Sequence, residues 1–340
     1  MTVNDQDKAV SKPFMERFLV AMAQYDDIGT HDIAVAVSGG PDSMALCFAL
    51  AEHYADKTVH ALTVDHGLRT ESGDEAQQVA GQLQKFSNVQ HHILSWQHEE
   101  KPQARIQEHA RHARYDLMKG KMEDLGIIHL FLGHHMGDQA ETFLFRLAKG
   151  SGLDGLACMH PVQPMDSGFV LCRPLLEFQK EELISFCNDR GVFYINDPSN
   201  ESDDFARVRL RKSMSVLEEE GLSAKRLSVS ASRFSRARSA LEYFSSKAFE
   251  ESVSVEDSNS LSFKYDILKQ FPEEIILRVI LKSMAQLQQG NVYGARMEKV
   301  EGLCHDLIYA KTFRKRTLGG VIFERNDKDN TLILSQEKAH

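Results

Sequence analysis

Cysteine is sparse and scattered in this chain. Cys47, Cys158, Cys172, Cys187 and Cys304 are odd in number, and no Cys-x-x-Cys occurs. That argues against a disulfide scaffold, a zinc ribbon and an iron–sulfur site, and it favours reduced thiols in a cytoplasmic protein. No apolar run approaches the length that spans a bilayer. The opening Met-Thr-Val-Asn-Asp-Gln-Asp lacks the basic and apolar regions of a secretory leader. Internal repeats and low-complexity tracts are missing too. So is the Gly-x-x-x-x-Gly-Lys-Ser/Thr loop of kinases and GTPases. Positive charge is in deficit, with 40 Lys and Arg against 49 Asp and Glu and a net charge of −9. This is not the balance of a generic nucleic-acid binder.

What is present is enough for a folded enzyme. The 340 residues suffice for two domains, and 42% apolar with 26% charged residues is a globular composition. The chain is organised around Asp32–Leu46. Ile33, Val35 and Val37 alternate with alanines, as a strand covered on both faces requires. Ser38-Gly39-Gly40 then turns tightly, and Pro41 suits the first position of a helix. The unpaired N–H groups of such a turn, with the helix dipole behind them, make a site for phosphate. The pattern Ser-Gly-Gly-x-Asp-Ser resembles the PP-loop of the ATP pyrophosphatases. In that family the loop grips the pyrophosphate part of ATP while the α-phosphate is attacked.

Further strands are expected at Thr58–Asp65, Val89–Leu94, Ile127–Leu132 and Phe169–Arg173. Helices are expected at Pro13–Tyr25, Met44–Tyr54, Ser72–Phe86 (with Ser72 and Glu75 as a capping box), Ala104–Leu125, Asp138–Ala148 and Lys180–Arg190. The alternation predicts an α/β fold, a doubly wound and mostly parallel sheet with functional groups at the carboxyl ends of its strands. Asp197–Asn200 reads as a turn, and the pattern changes near residues 200–215. This gives a catalytic domain over 1–210 and a mainly helical domain over 211–340. In the latter, Ser252–Ser262 reads as a loop, Glu273–Gln286 and Arg296–Ala310 as amphipathic helices, and Thr317–Glu324 with Thr331–Ser335 as a terminal hairpin. Basic charge is gathered between Phe205 and Ala240: Arg207, Arg209, Arg211, Lys212, Lys225, Arg226, Arg233, Arg236 and Arg238, opposed only by Glu218, Glu219 and Glu220.

Other constellations carry chemistry. His134, Asp138 and Glu141 fall at i, i+4 and i+7, one face of a helix, with Ala140, Phe143, Leu144 and Leu147 on the core side. Such a face can move protons or hold a metal; a capped helix with solvated acids is the plainer alternative. Arg111, Arg114 and Tyr115 share a face of the long helix, where a solvated basic surface is the plain reading. Asp65-His66 at a strand end can touch adenine or ribose, or simply cap a turn. His91-His92 read as surface residues without a role.

Seven motifs occur in the order seen in the tRNA(Ile)-lysidine synthases. They are Ser38–Ser43, Val64–Arg69, Ala110-Arg111-x-x-Arg114-Tyr115, Gly133-His134-His135-x-x-Asp138-Gln139-Ala140-Glu141-Thr142, Gly150–Leu156, Arg173–Leu176 and Asp197-x-Ser199-Asn200. The chain resembles that family closely over residues 30–215. The resemblance implies ATP at Ser38, Gly39, Gly40, Pro41, Asp42, Ser43, Asp65, His66 and Gly133, with Mg²⁺ at Asp42. It implies catalytic roles for Asp42, Arg111, Arg114, His134, Asp138 and Glu141. It also implies L-lysine as a second substrate, and tRNA(Ile) with a CAU anticodon bound through Arg207, Arg209, Arg211 and Lys212. A homodimer stays open. Two departures stand out. Gly137 replaces the first of two acids common in the family, and Arg207-Val-Arg-Leu-Arg211 replaces Arg-Asn-Arg-Ile-Arg. The alternatives are another PP-loop enzyme such as a tRNA thiolase, which usually needs a reactive cysteine pair, and a non-catalytic RNA-binding protein.

Overall fold

The computed structural model describes residues 13–28, 31–65, 67, 72–96, 106–165, 167–195, 206–257, 259–288 and 296–337. The chain divides into two compact units, Met1–Ser235 and Arg236–His340.

In the first unit, β1 (Ile33–Ala36), β2 (Val59–Asp65), β3 (Val89–Ser95), β4 (His129–Phe131) and β6 (Val170–Cys172) run parallel. The edge strand β5 (Val162–Pro164), not expected from the sequence, pairs antiparallel with β6. The strand order is β3-β2-β1-β4-β6-β5. The helices α1 (Phe14–Met22), α2 (Pro41–His53), α3 (Ser72–Leu83), α4 (Ile106–Leu125), α5 (Met136–Ala148), α6 (Leu153–Leu156) and α7 (Lys180–Asp189) follow the strands.

The alternation in β1 explains the layering. Ile33, Val35 and Val37 join Phe18, Leu46, Phe48, Phe178 and Leu183 in one core. Ala34 faces the other way, among Leu62, Met118, Met122, Leu130 and Leu171. The alanine leaves room for the two long methionines of α4. Because β1 lies between β2 and β4, the chain leaves the sheet in opposite directions there, which opens a crevice at the carboxyl ends of β1 and β4.

The domain boundary falls later than residue 210. Leu210, Met214 and Leu217 of α8 (Ala206–Glu219) pack with Ala140, Phe143 and Leu144 of α5, and so do Leu227 and Ala231 of α9 (Ala224–Ser252). Apolar contacts therefore hold the basic segment to the first unit. Leu147, expected in this core, is 51% exposed. The Ser72 cap and the Asp197–Asn200 turn lie outside the described residues or side chains.

The second unit is helical, as expected, but carries more strand than expected. The Ser252–Ser262 loop is instead β7 (Val253–Glu256) leading into β8 (Ser260–Lys264). Thr317–Glu324 splits into β9 (Arg316–Leu318) and β10 (Val321–Asn326), and β11 (Thr331–Gln336) closes the antiparallel order β7-β8-β11-β10-β9. Leu261, Phe263, Val321, Phe323, Leu332 and Leu334 recur every second residue. They pack against Leu268 of α10 (Tyr265–Leu268), Ile276, Val279 and Ile280 of α11 (Glu273–Leu287) and Leu303 and Leu307 of α12 (Met297–Tyr309). The serines of β7 and β8 had hidden the alternation. Ser254 and Ser262 bond one another on the far face, with Ser254 Oγ donating to the Ser262 carbonyl at 3.0 Å.

The histidine pair on β3 is not a bare surface. His91 Nε2 lies 2.8 Å from Thr63 Oγ1, and His92 Nε2 lies 3.0 Å from His60 Nδ1, whose other nitrogen is 3.6 Å from Asp32. Burial pushes His91 down from 6.5 to about 4, with neighbouring His92 adding to the fall, and burial lowers His60 and His92 as well. The unfolded chain then binds more protons than the folded one between these values. Stability is complete above about pH 6.5 and is lost as the pH falls towards 4. After solvent screening of a half-buried ring, His91 contributes on the order of 2 kcal/mol of that loss. Melting curves between pH 7 and 4.5 should shift less for His91→Gln than for the wild type. Parallel shifts would rule the assignment out.

Candidate active site

β1 hands over to α2 through Val37–Gly40. Gly39 has φ +86°, and its carbonyl accepts the Ile195 N–H at 2.8 Å. A Cβ at that position would sit 2.9 Å from both Ile195 and Val79, so only glycine fits. Pro41 opens α2, as the sequence implies. Ser43 holds the turn from inside: its Oγ accepts the Ser38 N–H at 3.1 Å, donates to the Gly40 carbonyl at 3.1 Å and lies 3.3 Å from Ser38 Oγ. From the other side of the crevice Gly133, just past β4, presses on this turn. A Cβ at Gly133 would lie 3.0 Å from the carbonyl carbon and oxygen of Asp42. The Ser38–Ser43 turn and the Gly133 segment are thus in direct contact, as the sequence places them.

The α5 end differs from expectation. The helix begins at Met136, with His135 as its cap. His135 Nδ1 accepts the Gly137 N–H at 2.9 Å, and Asp138 Oδ2 accepts the His135 N–H at 2.9 Å, a reciprocal capping box. His134 therefore precedes the helix, and the expected three-residue face reduces to Asp138 and Glu141. Glu141 is buried at 7% exposure, which is not a solvated acid.

The cap also fixes a tautomer. Because Nδ1 is an acceptor, the proton of neutral His135 sits on Nε2. That nitrogen is 3.7 Å from Asp42 Oδ2 and 3.6 Å from Asp138 Oδ2. One imidazole stands between Asp42 of the Ser38–Ser43 turn and Asp138 of α5. Lys180, the first residue of α7, brings its ammonium 3.8 Å from the same Asp42 oxygen.

Asp65 ends β2 and accepts the Gly67 N–H at 2.9 Å, so it caps its own turn; His66 lies outside the described residues. Arg111 and Arg114 are exposed on α4, and the Arg111 guanidinium lies 5.2 Å from the Tyr115 ring. Arg173, at the end of β6, is buried. It donates to the His160 carbonyl at 2.9 Å and to Gln163 at 3.0 Å, and its N–H reaches the Tyr25 hydroxyl at 3.1 Å. Burial lowers the Arg173 guanidinium from its ordinary value, and Arg111 adds to this while Tyr115 and Tyr25 oppose it. Arg207, Arg209, Arg211 and Lys212 open α8, and their side chains lie outside those described. Among the described residues no group of three or more His, Cys, Asp or Glu could hold a metal.

The PP-loop domain family matches residues 13–218. A tRNA(Ile)-lysidine synthase of Methylobacterium sp. (strain 4-46) is 38% identical over 298 residues, covering 86% of each chain. This chain belongs to the tRNA(Ile)-lysidine synthase family. Further members of that name are 37% identical in Bradyrhizobium sp. (strain BTAi1), covering 88% of this chain and 83% of the relative, and 32% identical in Wolbachia pipientis wMel, covering 90% and 71%. Among solved structures the U34-tRNA thiolase NcsA from Methanococcus maripaludis shares the fold, with a TM-score of 0.56 at 15% identity over 66% of this chain and 77% of that one.

Sequence reasoning missed the roles of His135, Lys180 and the Arg173–Tyr25 pair in this lysidine synthase family member. For His135 a signal existed in Gly137. A Cβ at 137 would lie 2.7 Å from His135 Cε1. The ring occupies the space that any side chain at 137 needs, so the missing acid and the histidine cap are two sides of one arrangement. Lys180 carried no such signal, because only the packing of α7 against α2 brings it to Asp42.

Proposed function

We propose that this protein joins the ε-amine of free L-lysine to C2 of the wobble cytidine in the CAU anticodon of tRNA(Ile), using ATP. The C2 oxygen attacks the α-phosphorus and pyrophosphate leaves. The lysine amine then attacks C2, the C2–O bond breaks and AMP departs. The modified base pairs with A in place of G. The observation that carries this reading is the meeting of Asp42 in the Ser38–Ser43 turn with Asp138 of α5, bridged by His135.

Ser38–Ser43 hold the phosphates through backbone N–H groups and hydroxyls. Asp42 is the residue that would hold a Mg²⁺ ion here. Such an ion takes one or two carboxylates and fills its remaining positions with water and phosphate, so a protein cage is not needed. When bound, such an ion would neutralise phosphate charge. Asp65 and Gly133 take the nucleoside side, and the motif that the family shares assigns His66 to the same role. Asp138 takes the proton from the lysine ammonium, which is no nucleophile while charged. Glu141, one turn further on, and His134, just before the helix, are the other candidates for moving that proton. Arg111 and Arg114 meet phosphate charge, while Arg207, Arg209, Arg211 and Lys212 meet the tRNA backbone.

The thiolase reading is weakened by the thiols. All five cysteines are buried, and burial pushes Cys47 and Cys304 up to about 12 and Cys158 and Cys187 up to about 11. A sulfur carrier needs the opposite, an accessible thiolate. Radiolabelled lysine, ATP and a tRNA(Ile) transcript decide the matter. The expected result is label in the CAU transcript, AMP and pyrophosphate, and none in a transcript with a GAU anticodon. Unlabelled CAU transcript would sink the proposal.

A further inference from the structure

The α8–α9 turn carries a groove that the reading above leaves unused. It is open, about 890 Å³, and lies wholly within the first unit. Glu218, Ser223, Lys225, Arg226, Ser230 and Arg233 line it, which is three cations against one acid. The three cations have different duties. Arg226 donates to the Gly221 carbonyl at 2.9 Å and so holds the turn itself. The Ser230 hydroxyl is spent on the Arg226 carbonyl at 3.1 Å. Lys225 and Arg233 are exposed and form no ion pair among the described residues. From Gly221 to Leu241 the chain holds five Lys and Arg, at positions 225, 226, 233, 236 and 238, and no acid, although the whole carries −9.

We infer that this groove holds the sugar–phosphate backbone of RNA, with Lys225 and Arg233 as separate phosphate contacts; this rests on the tRNA substrate proposed above. The spacing supports a polyanion. Lys225 and Arg233 are eight residues apart, about 12 Å along a helix, a span over which a nucleic-acid strand presents several phosphates. A free phosphate or a nucleotide would reach only one of the two, in a groove too open to enclose it. Burying no base and offering no aromatic face, the groove positions the strand and does not read its sequence.

The test is tRNA(Ile) binding by the full-length protein between 50 and 200 mM salt. Each lost phosphate contact removes roughly 0.7–0.9 from the slope of log affinity against log salt. Lys225→Ala/Arg233→Ala should make the slope shallower by about 1.4–1.8 and raise the KM for tRNA, with ATP KM unchanged. Glu218→Gln should act in the opposite direction and tighten binding. Circular dichroism separates these effects from misfolding, which exposed positions should not cause. An unchanged slope with normal lysidine formation overturns the groove alone. A raised ATP KM reassigns it to nucleotide and also overturns it. Wild-type protein that makes no lysidine overturns the function on which the inference rests.

Discussion

Asp138→Asn should fold, bind ATP and tRNA, and lose lysidine formation by on the order of a hundredfold or more. The structure sharpens this expectation. Asp138 Oδ2 caps the His135 N–H, and an asparagine oxygen can accept the same bond, so α5 keeps its start. What disappears is the charge 3.6 Å from His135 Nε2 and the only basic oxygen pair on the first turn of α5. A group that accepts a proton in the reacting complex contributes rate factors of this size, whereas an exposed structural acid costs about half a kcal/mol. Single-turnover kinetics with preformed enzyme–tRNA–ATP complex makes the distinction. Adenylylated tRNA should accumulate while lysine is not transferred. A rate within about threefold of the wild type would remove Asp138 as proton acceptor.

Asp42→Ala should abolish tRNA-dependent ATP–pyrophosphate exchange while the fold survives. Asp42 is the only acid in the phosphate turn, and its Oδ2 meets Lys180 at 3.8 Å and His135 at 3.7 Å. Removing it strands no buried lysine charge, because Lys180 is 46% exposed, and His135 keeps its hydrogen bond from the Gly137 N–H. A loss of stability below about 1 kcal/mol is therefore expected. Exchange depends on charge balance at the phosphates, so it should fall below detection at ordinary Mg²⁺ concentrations. Normal exchange, or an unfolded variant, would count against the role. The two variants should also differ from one another: Asp42→Ala blocks the first half of the reaction and Asp138→Asn the second.

Much of the first unit was legible because its signals are local. A β-branched strand, a glycine pair, a proline at the first helical position and a serine hydroxyl within hydrogen-bond reach are encoded in consecutive residues, and Ser38–Ser43 is built as they imply. The errors arose where two local codes compete or overlap. His134, His135 and Asp138 fit a helical face by spacing alone. The capping box wins because the His135 side chain can satisfy an N–H that would otherwise have no partner. In the second unit the serines of β7 and β8 looked like loop, since their strand pairing is with β11, far away in sequence.

The sequence by itself determined the parallel α/β fold, the Ser38–Ser43 turn, the family and the acids of α5, because each depends on neighbours a few residues apart. Only the tertiary structure decided the rest. The sheet order put the ends of β1 and β4 side by side. The packing of α7 on α2 carried Lys180 to Asp42. The space above Gly137 let His135 lie between two acids. These are contacts between distant segments, fixed by which apolar faces must be buried together, and no short stretch of sequence contains both partners.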